Sequence, residues 1–231
     1  MTDWLLRAKH WQLFVVGYAV PLALSFVLYA VTFGRHFYDL LPQPGAPPPP
    51  PDAIAAQMEG MFASLALALI PMVILAVAQM LYPAAVEERF GPLAPTRLRP
   101  RRWLFRGALV AYPLCFVLYF VAFYTIFSST PVFAVTPEAD EGAFIASFLL
   151  GMGASLLAYL GMLGAGIYLA IATARLIVGA EDLPLASGND VPVTVICLIF
   201  WPIGIWFLQP RVNALFARSE ALARVPPLPR A

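Results

Sequence analysis

The stretch from Val191 to Phe216 reads VPVTVICLIFWPIGIWFLQPRVNALF, and its threading decides the fold. Its apolar part, Val191 to Leu208, approaches the ~20 residues that a helix needs to cross a bilayer core. Trp201 and Trp206 flank Pro202 and Gly204 in its second half, and Gln209-Pro210-Arg211-Val212-Asn213 ends it abruptly. A proline inside a helix removes the hydrogen bond to the carbonyl four residues back, here that of Leu198, and kinks the chain. A glycine two positions on lets the backbone bend further. The run therefore reads either as a fifth full span or as a kinked, re-entrant segment. The second form is tolerated only where protein buries the freed backbone.

Composition sets the class. The chain has 231 residues, of which 61% are hydrophobic and only 12% charged. Soluble domains carry roughly 25% charged residues. So few charges cannot cover a water-facing surface, and the chain reads as an integral membrane protein. A formal net charge of +1 gives no bulk attraction to nucleic acid. Cys115 and Cys197 fall inside apolar runs and form no CxxC pair, so they read as small buried side chains.

Four apolar runs precede the last one. Residues 11–33, 57–82, 103–127 and 143–174 each match or exceed the length of a span, and 191–208 is the fifth in the count. The first is too long for a secretory signal and lacks a convincing cleavage site. Trp4 and Trp11 sit where an interfacial aromatic belt belongs. Residues 34–56 form a polar loop with prolines from Pro47 to Pro51, a stiff extended spacer, and Asp52 fits the N-cap of the next helix. The linker 83–102 holds Arg89, Arg97, Arg99, Arg101 and Arg102, whereas the loop 128–142 holds Glu138, Asp140 and Glu141 and no base. The positive-inside rule then puts the N-terminus and the 83–102 linker in the cytoplasm. Five crossings would end the chain outside, yet the tail 209–231 carries Arg211, Arg218, Arg224 and Arg230. Its segment 211–224 also draws as an amphipathic helix with Val212, Leu215, Phe216, Ser219 and Leu222 on one face.

Two patterns bear on packing. FVLYAVTF, Phe26 to Phe33, is echoed by FVLYFVAF, Phe116 to Phe123, which hints at two similar helical hairpins with a fifth helix appended. Pro21, Pro71, Pro113 and Pro202 lie near the middle of four runs, a feature of transporters with kinked helices around a central site, although proline is common in membrane helices in general. The fourth run carries small residues instead. Gly151 with Ser155 and Gly166 with Ala170 are small-xxx-small pairs, and Gly161 and Gly164 lie between them, marking a helix built for close approach.

Catalytic patterns are missing. His10 and His36 stand apart at expected interfaces, and there is no metal-ligand spacing, nucleophile elbow or Walker lysine. No charge falls near the middle of a run, which argues against a proton-driven carrier. No cofactor and no catalytic or metal residue is assigned.

The two ends, AKHWQLF from Ala8 to Phe14 and WPIGIWFLQPRVN from Trp201 to Asn213, resemble those of a loose group of uncharacterised bacterial multi-pass membrane proteins. In that group a KHWQLF-like start is paired with a PIGIWFLQPR-like end. The resemblance implies a small bacterial inner-membrane protein and carries no activity. If the pairing has meaning, the ends meet, and Lys9 or His10 close to Arg211 then calls for an acidic residue or a lipid phosphate between them. The cluster to examine is therefore Lys9, His10, Trp11, Trp201, Pro202, Gly204, Trp206, Gln209, Pro210, Arg211 and Asn213.

The expectation is an all-α membrane bundle of five helices with a cytoplasmic N-terminus. Its function reads as a non-enzymatic accessory or scaffold subunit, with the bilayer as its medium and another membrane protein or a second copy of the chain as partner. A small transporter or pore for a neutral solute is the alternative. A membrane enzyme acting on lipid, using His36, Asp39 and Glu59, is the third reading.

Overall fold

A computed structural model describes residues 3–40, 50–135, 141–181 and 190–224. Most of the proline string, Glu138, Asp140, Asp182 and Arg230 lie outside the described residues. Within them all regular structure is helical, as the apolar runs require. Two short helices, α1 (Asp3–Arg7) and α2 (His10–Phe14), lead through a π-helical turn, Val15–Ala19, into α3 (Val20–Leu40). Three long helices follow: α4 (Pro51–Phe90), α5 (Arg102–Val135) and α6 (Glu141–Ala180). Four segments are long and apolar enough to cross a membrane: His10–Arg35, Leu69–Phe90, Thr96–Ile126 and Phe144–Ala180.

The helices outrun the hydropathy that announced them. α4 continues past Pro83 to Phe90, so the first part of the arginine linker is helical. It also passes through Pro71 unbroken, as α5 passes through Pro113. Pro21 has a different effect. It offers no N–H to the carbonyl of Gly17, and the π turn lies just before it; the wider i→i−5 register lets an N–H one residue later serve such a carbonyl.

The fifth span is not supported. The last apolar run is two helices, α7 (Asp190–Ile199) and α8 (Trp201–Arg224), with the turn at Phe200. The ten residues of α7 extend only about 15 Å, half of a ~30 Å hydrocarbon core. The Phe200 carbonyl accepts from the N–H groups of Ile203 at 3.0 Å and Gly204 at 2.8 Å. Pro202 therefore does not kink a continuous helix. It occupies the first turn of α8, where its missing N–H costs no helical bond. Gly204 lies directly against the Cys197 backbone, where a Cβ would overlap the carbonyl. That approach over seven residues is a fold-back: α8 returns along α7, and Arg211 reaches Thr194 across the pair. Hydropathy counted apolar residues and missed the reversal of direction.

The chain divides into two compact units. Unit 1 comprises residues 1–19, 77–110 and 164–231; unit 2 comprises 20–76 and 111–163. Unit 1 has a conventional core. Leu5, Leu6 and Leu13 from the first helices meet Tyr82, Val86 and Phe90 of α4, Leu176 and Ile177 of α6, and Ile205, Val212, Leu215 and Phe216 of α8. The apolar face expected for the tail helix is thus covered by protein. Gly179 lets α6 approach the linker; a Cβ there would stand 3.0 Å from Leu98 and 3.3 Å from Ala94.

Unit 2 buries little. In it α6 meets α5 at Gly151, where a Cβ would overlap Ile126, and at Gly161, where a Cβ would stand 2.9 Å from Cys115 Sγ. Ser155 is buried. Leu75 and Ile126 are buried too, but many large apolar side chains face outward: Phe26 is 70% exposed and Leu150 75%. Three of the small residues expected to pack lie in unit 1. Gly164 meets nothing within 4 Å, whereas Ala170 is buried there; Gly166 is half-buried. The repeated octapeptides carry matching ring pairs, Tyr29–Phe33 (4.9 Å, 20°) and Tyr119–Phe123 (6.1 Å, 26°), each near-parallel and one turn apart. Both cysteines are free.

Candidate functional site at the joined chain ends

The two ends of the chain meet in unit 1, and Gln209 is the point of contact. A short helix such as α1 leaves its last carbonyls without intrahelical donors. The fully buried Gln209 supplies one. Its Nε2 lies 3.1 Å from the carbonyl of Leu5, 3.3 Å from Leu6, 3.0 Å from Ala8 and 3.0 Å from Asn213 Oδ1. Its Oε1 accepts from the Tyr82 hydroxyl at 3.3 Å. One amide therefore ties α1, α4 and α8 together, and leaving it out would orphan several buried acceptors.

Aromatic contacts extend the joint. The His10 ring lies 4.3 Å from Trp206, and Phe14 lies 6.3 Å from Trp206. Trp201 meets Tyr82 edge-on at 4.5 Å. Phe216 is buried beneath two cations, with the Arg7 and Arg89 guanidinium carbons each 4.9 Å from its ring centroid. Arg7 also pairs with Glu220, and Arg89 donates to Ser219 Oγ at 3.2 Å.

Arg211 has its own acidic partner. It donates to Glu181 at the end of α6 with the forked geometry that favours arginine, Nε to Oε1 at 2.8 Å and Nη2 to Oε2 at 2.6 Å. Its Nη1 reaches Thr194 Oγ1 at 3.3 Å. The hydrogen bond that Arg211 donates to Glu181 raises the Arg211 pKa above its usual value, against the opposing effect of burial. Arg218 donates to the Glu181 backbone carbonyl at 3.3 Å, so the same corner holds two arginines. The acid beside Arg211 is Glu181.

Three members of the expected cluster do not join. Trp11 is 49% exposed. Lys9 is exposed and serves the start of α2 through its own backbone N–H, which donates to Gln12 Oε1 at 2.9 Å. Pro210 faces outward within α8. Three contributors were not singled out beforehand: Tyr82, Glu181 and Glu220. Only Glu181 left a trace in the sequence, as an acid just after a long apolar run and before a tail rich in arginine.

A cavity of about 150 Å³ adjoins the joint, lined by Trp4, Leu13, Gly17, Gln79, Tyr82 and Trp201 among others. Neither this cavity nor the one in unit 2 has Pro21, Pro71, Pro113 or Pro202 in its wall. Among the described residues no group of three His, Cys, Asp or Glu could hold a metal. The side chains of His36 and Asp39 lie outside the described residues, and Glu59 is exposed. The polar atoms of the joint are engaged with one another, which suits them to hold helices together.

Fold and site define a chain that is helical in its described residues, with four helices long and apolar enough to cross a membrane and with its first and last described helices packed in one unit. Comparison with protein-family models, curated proteins and solved structures returned no match.

Proposed function

We propose that the chain is a four-span integral membrane protein of the bacterial inner membrane, acting as a non-enzymatic accessory or scaffold subunit. The observation that carries the membrane reading is an asymmetry of charge. Every Lys and Arg except Arg35 lies in the segments of unit 1, together with both chain ends. Unit 2 has Asp39, Asp52, Glu59, Glu138, Asp140 and Glu141 against that one arginine. The positive-inside rule assigns the basic segments to the cytoplasm. Four crossings return the chain to the side where it began, so the basic tail obeys the same rule as the N-terminus. The bacterial setting rests on the resemblance of the two ends.

The accessory role is supported by the outward apolar faces of unit 2. Such faces suit lipid and equally suit the helices of a membrane partner, where packing and small residues drive association. Purification from native membranes through an N-terminal tag tests it. A second protein in fixed stoichiometry is the expected result. A lone chain or a clean homo-oligomer that carries solute flux in vesicles would replace this role with transport.

A further inference from the structure

Unit 2 holds a cavity of about 420 Å³ between α5 and α6. That volume lies within the usual range for small-molecule sites, about 300–1,000 Å³. Its wall includes Tyr119 and Phe123 of α5 and Phe148, Met152, Ser155 and Tyr159 of α6, and no charged side chain. The Tyr119 and Tyr159 rings stand 6.1 Å apart, and Tyr119 lies near-parallel to Phe123.

The hydroxyls of this wall are unspent. Ser155 Oγ is buried and has no hydrogen-bond partner. A helix serine commonly turns back to the carbonyl four residues earlier, here that of Gly151, and Ser155 does not. Among the described residues the Tyr119 and Tyr159 hydroxyls likewise meet no acceptor, their contacts being ring to ring. A hydroxyl left unpaired in an apolar wall is costly, so an occupant that brings an acceptor is favoured over a plain hydrocarbon tail. The absence of a cation from the wall disfavours a phosphate headgroup. Flat ring faces favour a flat partner.

We propose that this cavity binds a neutral, lipid-soluble ring compound with a carbonyl acceptor, of the quinone class. The ring lies against the aromatic side chains, and a carbonyl oxygen accepts from Ser155 and a tyrosine hydroxyl. The proposal depends on the membrane reading only for how the ligand arrives, and binding in detergent is measured without reference to topology or partner.

The test uses the purified full chain in detergent and a short-chain benzoquinone, followed by calorimetry and by quenching of intrinsic fluorescence. Saturable binding of one quinone per chain is expected. Tyr159→Phe and Ser155→Ala each remove one hydrogen bond and should weaken binding about 5- to 10-fold. Ser155→Leu should abolish it by filling the cavity, whereas Gly17→Leu, in the other cavity, should leave it unchanged. Circular dichroism and thermal unfolding establish that each variant is folded, and the wild-type measurement stands if one is not. Absence of saturable binding to the wild-type chain overturns the proposal. So does equal affinity in Tyr159→Phe, Ser155→Ala and wild type, or complete displacement of the quinone by added phospholipid.

Discussion

Units 1 and 2 draw on the same amino-acid vocabulary and use it in opposite ways. Unit 1 has a packed core, in which Phe90, Leu176, Ile177, Ile205 and Val212 are fully buried, although Trp103, Ile203 and Phe207 on its outside are 66% to 69% exposed. In unit 2 Phe26, Leu150 and Leu157 are 70% to 75% exposed. Burial of apolar area explains the packed core of the first. It cannot explain the second. Outward faces of leucine and phenylalanine suit the lipid medium proposed above, where they lose nothing. Polar bonding differs between the joint of the chain ends and the cavity wall. Unit 1 concentrates Gln209, Arg211 and Glu181 in internal pairs, whereas the wall hydroxyls of unit 2 have no described acceptor.

The largest effect that would break this contrast is at the fold-back. Gly204→Ala should destabilise unit 1 by about 3 kcal/mol or more, because its Cβ meets the Cys197 backbone, which cannot give way without opening the α7–α8 turn. Thermal unfolding in detergent and protease sensitivity of the tail should both report it. Phe90→Ala should cost about 3–5 kcal/mol as a core cavity, and Phe26→Ala under about 0.5 kcal/mol. Equal losses at the two phenylalanines would erase the distinction between the units.

Gln209→Leu should cost about 2–3 kcal/mol, since it strands the α1 carbonyls and the Tyr82 hydroxyl. Amide exchange should then quicken at α1 while the far ends of α4 and α5 stay protected.

The two ion pairs sharpen the same contrast on a smaller scale. The Glu181 side chain is 11% exposed and Arg211 33%, against 31% for Glu220 and 58% for Arg7. Glu181→Gln should cost about 1–2 kcal/mol and change little with salt, because the pair is shielded and forked. Arg7→Gln should cost about 0.5 kcal/mol and lose most of that in high salt. Because the Arg211 pKa is raised above an already high value, the guanidinium stays charged at any working pH. Its share of the stability is complete below the ordinary arginine pKa and is lost only above the raised one, so alkaline titration to pH 10 should leave the Arg211 side of the pair intact.

Much of the fold was legible because a helix long and apolar enough to cross a membrane shows some 20 largely apolar residues in a row, a signal that survives without any neighbour. The four long helices were read on that basis. The fifth failed for a physical reason. A hairpin of two short helices and a single span have the same composition, and only direction distinguishes them. Pro202 and Gly204 marked the place, and the arginines after Leu208 marked the consequence. The meeting of the ends was legible as a pairing of motifs, whereas Glu181 as the forked partner of Arg211 was not, because an acid was expected only as a shield from Lys9 or His10. The role of Gln209 was not legible, because its partners are backbone carbonyls some 200 residues away, and carbonyls leave no trace in a sequence. The exposure of Trp11 was equally hidden, since a tryptophan at an interface reads the same whether it packs on protein or lies against lipid.

The central claim is that the last apolar run turns back and does not cross. The most direct measurement is a pair of reporters fused after Ala231 in the full chain, one active only in the periplasm and one fluorescent only in the cytoplasm. The account expects a silent periplasmic reporter and a bright cytoplasmic one, the same as for fusions at the N-terminus. An active periplasmic reporter at the C-terminus would contradict it, since it would require the fifth crossing and separate the ends that Gln209 joins.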